Sequence, residues 1–188
     1  MDGLRLIRSK GIPDLDEPCG ANFTFRDFIE CGETQQRLQL NNVPLNPETY
    51  NALHDLAVNL LDPVIDYFGS IKLTYGFCSS ALANKIPGRI APALDQHGSH
   101  ELNGRGKLIC NRGGAACDFI VEDEDMEQVA DWIIENLPFD RLYFYGRAKP
   151  LHLSYAQAGA RKAYRLVNTR GGNAIPRPYA NRPPIATT

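Results

Sequence analysis

Three side chains stand out from this chain by type and neighbourhood. A histidine lies in Asp95-Gln96-His97-Gly98-Ser99-His100-Glu101, an aspartate in Gly114-Ala115-Ala116-Cys117-Asp118-Phe119, and a second histidine in Pro150-Leu151-His152-Leu153-Ser154-Tyr155. Imidazole nitrogen and carboxylate oxygen are zinc ligands. In catalytic sites three of them leave one position open for a water whose pKa the metal draws toward neutrality. His97, Asp118 and His152 are therefore candidate metal ligands, with His100 as an alternative to His97. Asp95, His100 and Glu101 are candidates to move a proton or to orient a ligand. Arg89, Arg105 and Arg112 supply cationic groups nearby, of which Arg89 and Arg112, together with Tyr145, are the candidate substrate contacts. Cys110 and Cys117 lack the short Cys-x-x-Cys chelate of a sulfur-rich structural site.

The elements that must position these residues are legible as short periodic stretches. Ala115 to Val121 and Leu151 to Tyr155 read as strands, as do Ile71 to Phe77 and Leu142 to Tyr145. The last two strands in sequence flank Gly146 to Pro150, a plausible hairpin turn. On strand alternation, Cys117 should point away from the metal if Asp118 points toward it. Asn46-Pro47-Glu48 is a strong helix start, with Asn46 as cap and Pro47 in the first turn. Leu53, Leu56, Leu60, Val64 and Phe68 give that helix a core stripe, which Pro63 should kink or split after Leu61. Thr24 should cap a shorter helix with Phe25 and Phe28 facing inward, and Ser79 to Asn84 suggests another. The acidic cluster Glu122 to Asp125 opens a helix from Met126 to Leu137, with Val129, Trp132 and Ile133 on its buried face. Helices followed by a small, mainly antiparallel sheet make an α+β domain.

The 188 residues suffice for one domain with a substantial core. Residues 1–22 form an irregular lead-in and 23–167 the domain proper. Residues 168–188 form a Pro-rich tail, expected to be extended and either loose or docked on its own domain or a neighbouring subunit. A net charge of -2 and a charged fraction of 22% give no global attraction to nucleic acid. Such binding would be local, through the loop arginines and Arg170, Arg177 and Arg182. No apolar run spans a bilayer, no secretory leader is evident, and the five cysteines are an odd number, so the expectation is a cytoplasmic chain with free thiols.

Four of these stretches also resemble a known family in the same order. Leu73-Thr74-Tyr75-Gly76-Phe77-Cys78-Ser79, Asp95-Gln96-His97, Gly114-Ala115-Ala116-Cys117-Asp118-Phe119 and Leu151-His152-Leu153-Ser154-Tyr155 are similar to segments of the M15 metallopeptidases. These are the D-alanyl-D-alanine carboxypeptidase-like members of the Hedgehog/DD-peptidase superfamily. The resemblance implies that fold, with His97, Asp118 and His152 as Zn2+ ligands. It implies hydrolysis of an amide or related bond by metal-bound water, on a peptide or other small substrate. The chain departs from the family at three places. Gly98 to Arg112 look like an inserted loop covering or lining the site. Cys78 stands where the family has an arginine. No acid lies between Arg141 and His152, where the family places a glutamate near the position of Tyr145. The rival expectation is a catalytically inactive, zinc-stabilised module that binds a protein or nucleic-acid partner.

Overall fold

The structure is a computed structural model that describes residues 11–86, 94–168 and 174–179. Its first elements are helices built by local capping. Helix α1 (Phe25–Glu30) begins where the Asp27 carboxylate accepts from the Thr24 amide at 2.7 Å, and α2 (Glu33–Leu38) follows after a glycine turn. Helix α3 (Pro47–Leu56) starts at Asn46, whose side chain accepts from the Glu48 amide. It continues through a π turn, Ala57–Leu61, into α4 (Asp62–Phe68). The π turn is how the chain accommodates Pro63. The Asp62 amide reaches back to the Ala57 carbonyl, and the helix runs on past Leu61 with Leu53, Leu56, Leu60 and Val64 all buried. Phe68 is only half-buried and packs edge-on against Trp132.

Six strands form one sheet in the order β1-β2-β4-β3-β5-β6. They are β1 (Ile71–Tyr75), β2 (Ala115–Val121), β3 (Arg141–Phe144), β4 (Leu151–Tyr155), β5 (Lys162–Asn168) and β6 (Ala174–Pro178). Every pairing is antiparallel except β3 with β5. Two further helices are α5 (Ser80–Ala83) and α6 (Met126–Asn136), with Asp125 capping the latter. The architecture is thus α+β with a mostly antiparallel sheet.

One face of the sheet closes the core. Cys117, Phe119, Leu142, Leu151 and Leu153 are buried in one cluster with Leu53, Leu56 and Leu60 of the α3–π segment and with Val129 and Ile133 of α6. Each such side chain contributes about 1.5–3 kcal/mol when taken out of water. Trp132, expected on that buried face, is half-buried and stacks on exposed Tyr67 with ring centroids 4.6 Å apart.

The C-terminal segment departs from a loose tail. Residues 174–178 are extended, as expected, but pair with β5 as the sheet's last strand. Tyr179 is fastened beyond them, its hydroxyl donating to Asp131 at 2.8 Å and its amide to the Ala163 carbonyl at 2.9 Å. Arg170 and Arg182 lie outside the described residues. No described helix is long and apolar enough to cross a membrane.

Candidate metal centre

The sheet's other face carries a row of directly paired residues. Tyr75 on β1 faces Asp118 on β2, Asp118 faces His152 on β4, His152 faces Tyr143 on β3, and Tyr143 faces Tyr164 on β5. Paired residues put their side chains on the same face, so the strand register sets Asp118 beside His152. The offset between β1 and β2 around Leu73 and Tyr75 brings Tyr75 into that row. Phe119 and Cys117 alternate to the core face, and Cys117 is fully buried there.

His97 enters from a short 3₁₀ turn, Gln96–Gly98, which is held at several points. The Asp95 side chain caps the turn by accepting from the His97 amide at 3.0 Å. The His97 carbonyl accepts from the Cys78 amide at 2.9 Å. Gln96 Nε2 donates to the Gly113 carbonyl at 3.0 Å and Ser99 Oγ to the Gly114 carbonyl at 2.7 Å. The His97 ring packs against Tyr75 with centroids 4.3 Å apart, and its Nδ1 lies 2.7 Å from the Gly76 carbonyl. A carbonyl accepts only, so Nδ1 carries the hydrogen and Nε2 is left facing the row. This is the outer support that metal-bound imidazoles commonly have.

Three atoms then converge. Asp118 Oδ1 is 2.8 Å from His152 Nδ1 and 3.4 Å from His97 Nε2, and the two nitrogens are 3.2 Å apart. Ligands held about 2.0–2.1 Å from a tetrahedral ion sit about 3.3 Å from one another. Two of the separations match that spacing, the 2.8 Å one is that of a direct hydrogen bond, and the donor set of two imidazoles and one carboxylate suits a divalent cation. Among the described residues His97, Asp118 and His152 are the group that could hold a metal ion.

The Asp118 carboxylate and the two imidazoles set one another's charge. Burial alone would raise the Asp118 pKa, but hydrogen bonds from His152 and His97 and their nearby charges outweigh it and hold the carboxyl well below its usual range. Burial likewise disfavours protonated His97, yet the Asp118 carboxylate and Asp95 reverse the sign and its pKa is raised. Tyr145 is pushed up, first by burial and then by the Asp118 charge, so its phenol stays protonated at neutral pH.

The three ligand candidates stand at the base of a cleft of about 650 Å³. Asp95 and Tyr145 line it. The segment 98–112 does not deliver its acid and base there. Glu101 instead accepts from the Leu45 and Asn46 amides and from the Thr49 hydroxyl, which joins the loop to the start of α3. His100 Nε2 accepts from the Gly114 amide at 3.0 Å and borders a separate cavity of about 500 Å³. Arg112 also borders that second cavity, its Nε and Nη2 donating to fully buried Asp140. These three corrections share a physical reason. Groups three to fifteen residues along the loop from His97 are oriented by whichever buried partner they find. Arg89 lies outside the described residues. Cys110 and Cys117 are free, buried thiols, and neither belongs to the potential metal group.

Other residues of the cleft are not evident from motif reading. Cys31 to Gln35 at the start of α2 form one wall, while Leu166, Ala174 and Pro176 of the β5–β6 pair form another. Tyr143 was accessible in principle, because it alternates with Tyr145 on one strand. The α2 wall carries no such signal, since its contact with the site follows from how α1 packs on the end of β1.

No family model matches the chain, and no curated protein or solved structure matches it.

Proposed function

We propose that this chain is a zinc-dependent hydrolase acting on an amide or related carbonyl, in keeping with its resemblance to the M15 metallopeptidases. The observation that carries this reading is the convergence of His97 Nε2, Asp118 Oδ1 and His152 Nδ1, separated by 2.8–3.4 Å, at the base of a cleft large enough for a small substrate. His97, Asp118 and His152 would hold the ion. When bound, zinc supplies an acidified water and polarises a carbonyl.

The chain's own contribution is positional and acid–base. The Gly76 carbonyl keeps the His97 ring in the tautomer that can ligate. The sheet register holds Asp118 against His152. Of the three proton-transfer candidates read from the sequence, Asp95 lines the cleft, and Glu33 on α2 is a further carboxylate there. One of these takes the proton in the hydrolase reading. Tyr143 and Tyr145, with the apolar β5–β6 wall, shape the space and restrict water.

A second reading, a zinc-stabilised binding module without turnover, is favoured by one observation: Glu101 and His100 are both committed to hydrogen bonds outside the cleft. Metal analysis separates the possibilities in order. Purified protein should carry about one zinc per chain, and His97→Ala and His152→Ala should each lose it. With zinc in place, hydrolysis of a peptide library that disappears in Asp95→Asn or Glu33→Gln supports the enzyme. Stoichiometric zinc with no turnover of any amide supports the module, and a zinc-free wild type removes both.

A further inference from the structure

Water adding to an amide puts negative charge on the carbonyl oxygen, and that charge needs a donor or a cation to meet it. No lysine or arginine is among the described residues that line the cleft. Cys78, which stands where the resemblance to the M15 peptidases places an arginine, is buried and does not line it. Hydroxyl groups remain. Thr74 Oγ1 donates to the Asp118 carbonyl at 3.1 Å, the Tyr75 hydroxyl is sealed by packing, and the Tyr143 hydroxyl lies beside the Arg141 guanidinium. Thr34 belongs to the α2 wall and not to the sheet that carries Asp118 and His152. Tyr145 differs from all of these. It follows β3 two residues after Tyr143, whose ring packs edge-on against His152 with centroids 5.3 Å apart, and strand alternation turns both side chains to that face. It is half-buried and lines the cleft. Its hydroxyl makes no hydrogen bond among the described residues and is not sealed by packing. After burial, the carboxylates of Asp118 and Asp95, both in the lining, act most on its phenol, so the oxygen end of the ring lies on the side of the ligand candidates.

We infer that Tyr145 is a catalytic residue whose hydroxyl donates a hydrogen bond to the substrate carbonyl oxygen as that oxygen becomes negative. This rests on the hydrolase reading of the same cleft and names the group that meets the charge. As the water oxygen bonds to the carbonyl carbon, the C=O π pair moves onto oxygen and the water proton passes to Asp95 or Glu33. When the C–N bond breaks, that pair returns to the C=O bond and the proton goes to the leaving nitrogen. The Tyr145 O–H bond stays intact throughout, so the phenol acts as a donor and not as an acid. Such a donor is worth most where apolar walls keep water away, here Leu82, Leu94, Leu166 and Pro176.

Two metal-binding probes test it by titration calorimetry on zinc-loaded, full-length protein. The phosphinate isostere of N-acetyl-Phe-Leu amide presents a charged oxygen in the place of the carbonyl oxygen, whereas mercaptoacetyl-Leu amide binds through sulfur and carries no charged oxygen. Tyr145→Phe keeps the ring and removes the donor. It should bind the phosphinate about 100-fold more weakly than the wild type, the scale of losing one such donor, and bind the thiol with unchanged affinity at unchanged zinc content. An equal loss for both probes overturns the inference, because it marks a change in the shape of the cleft. A phosphinate affinity that the variant leaves alone overturns it too, as does loaded wild type that binds the thiol but not the phosphinate. Those three results leave the hydrolase reading standing. Protein that takes up no zinc, or that takes it up and binds neither probe, overturns the hydrolase reading and the role of Tyr145 with it.

Discussion

At the scale of single residues, the site depends on which charged groups are already engaged. Asp140 reads as a turn residue beside Pro138 and Phe139, yet its side chain is fully buried and takes both Arg112 and the Ala160 amide. Burial would raise its pKa, but the Arg112 hydrogen bonds outweigh this and lower it. Arg112 is therefore structural and not a substrate contact. Arg112→Ala should strand a carboxylate in the interior and cost roughly 2–3 kcal/mol. This is below the range for a fully buried pair because the guanidinium is 26% exposed. Chemical denaturation should register that loss while zinc stoichiometry stays at the wild-type value. A variant that keeps its stability but loses substrate affinity would return Arg112 to the site.

At the scale of elements, the cleft exists because strand ends and loops meet at close range. Gly76 ends β1 against α1, where a Cβ would lie 2.2 Å from the Phe28 carbonyl. The same residue's carbonyl holds His97 Nδ1. Gly76→Ala must therefore push β1 and α1 apart and move the support of a ligand candidate. The expected outcome is a lower melting temperature together with a 10- to 100-fold loss of zinc affinity, the usual range for losing such a support. Competition against a chromophoric chelator would measure the second effect. An unchanged affinity in a folded variant would show that the Gly76 carbonyl does not matter to the centre. Gly114 has a comparable role at the start of β2, with φ +72° and a Cβ position 2.1 Å from the Tyr155 carbonyl. There the motif glycine answers a packing requirement between β2 and the end of β4.

At the scale of the whole molecule, a proton and the proposed metal would compete for one point, and the sign of each pH dependence follows. The folded-state pKa of His97 is raised above its ordinary value of about 6.5. In metal-free protein its protonated contact with Asp118 thus contributes stability that is complete below about pH 6.5 and is lost as pH rises through the raised folded value. Asp118, whose pKa is lowered, stays ionised throughout that window. Metal binding requires the proton to leave and runs the other way. Between about pH 6 and pH 8, chelator-treated protein should melt at a falling temperature while zinc affinity rises. Thermal scans and zinc titrations in the same buffers would check both. Parallel trends would mean that His97 does not face the metal.

Much of the fold was legible because its causes are local. The Asn46-Pro47 start of α3, the Asp125 cap of α6 and the alternation along β2 and β4 all act within a few residues, so period and capping chemistry reveal them. Candidate ligands were legible by residue type, since few side chains can hold a metal. Their convergence was not, because His97 and His152 are separated by 55 residues and Asp118 meets His152 only through strand register. Strands β5 and β6 were missed for a related reason. Half-exposed sequence, Pro-containing in β6, becomes a strand only when a neighbour offers unpaired backbone groups, as β3 does for β5 and β5 for β6. The sequence by itself determined the local elements and the stock of chemically capable residues. Tertiary structure decided that Glu101, His100 and Arg112 serve the frame, that α2 and β6 wall the cleft, and that three donor atoms share one point. A buried polar group takes its role from the partner that packing supplies, and packing joins residues that the chain keeps far apart.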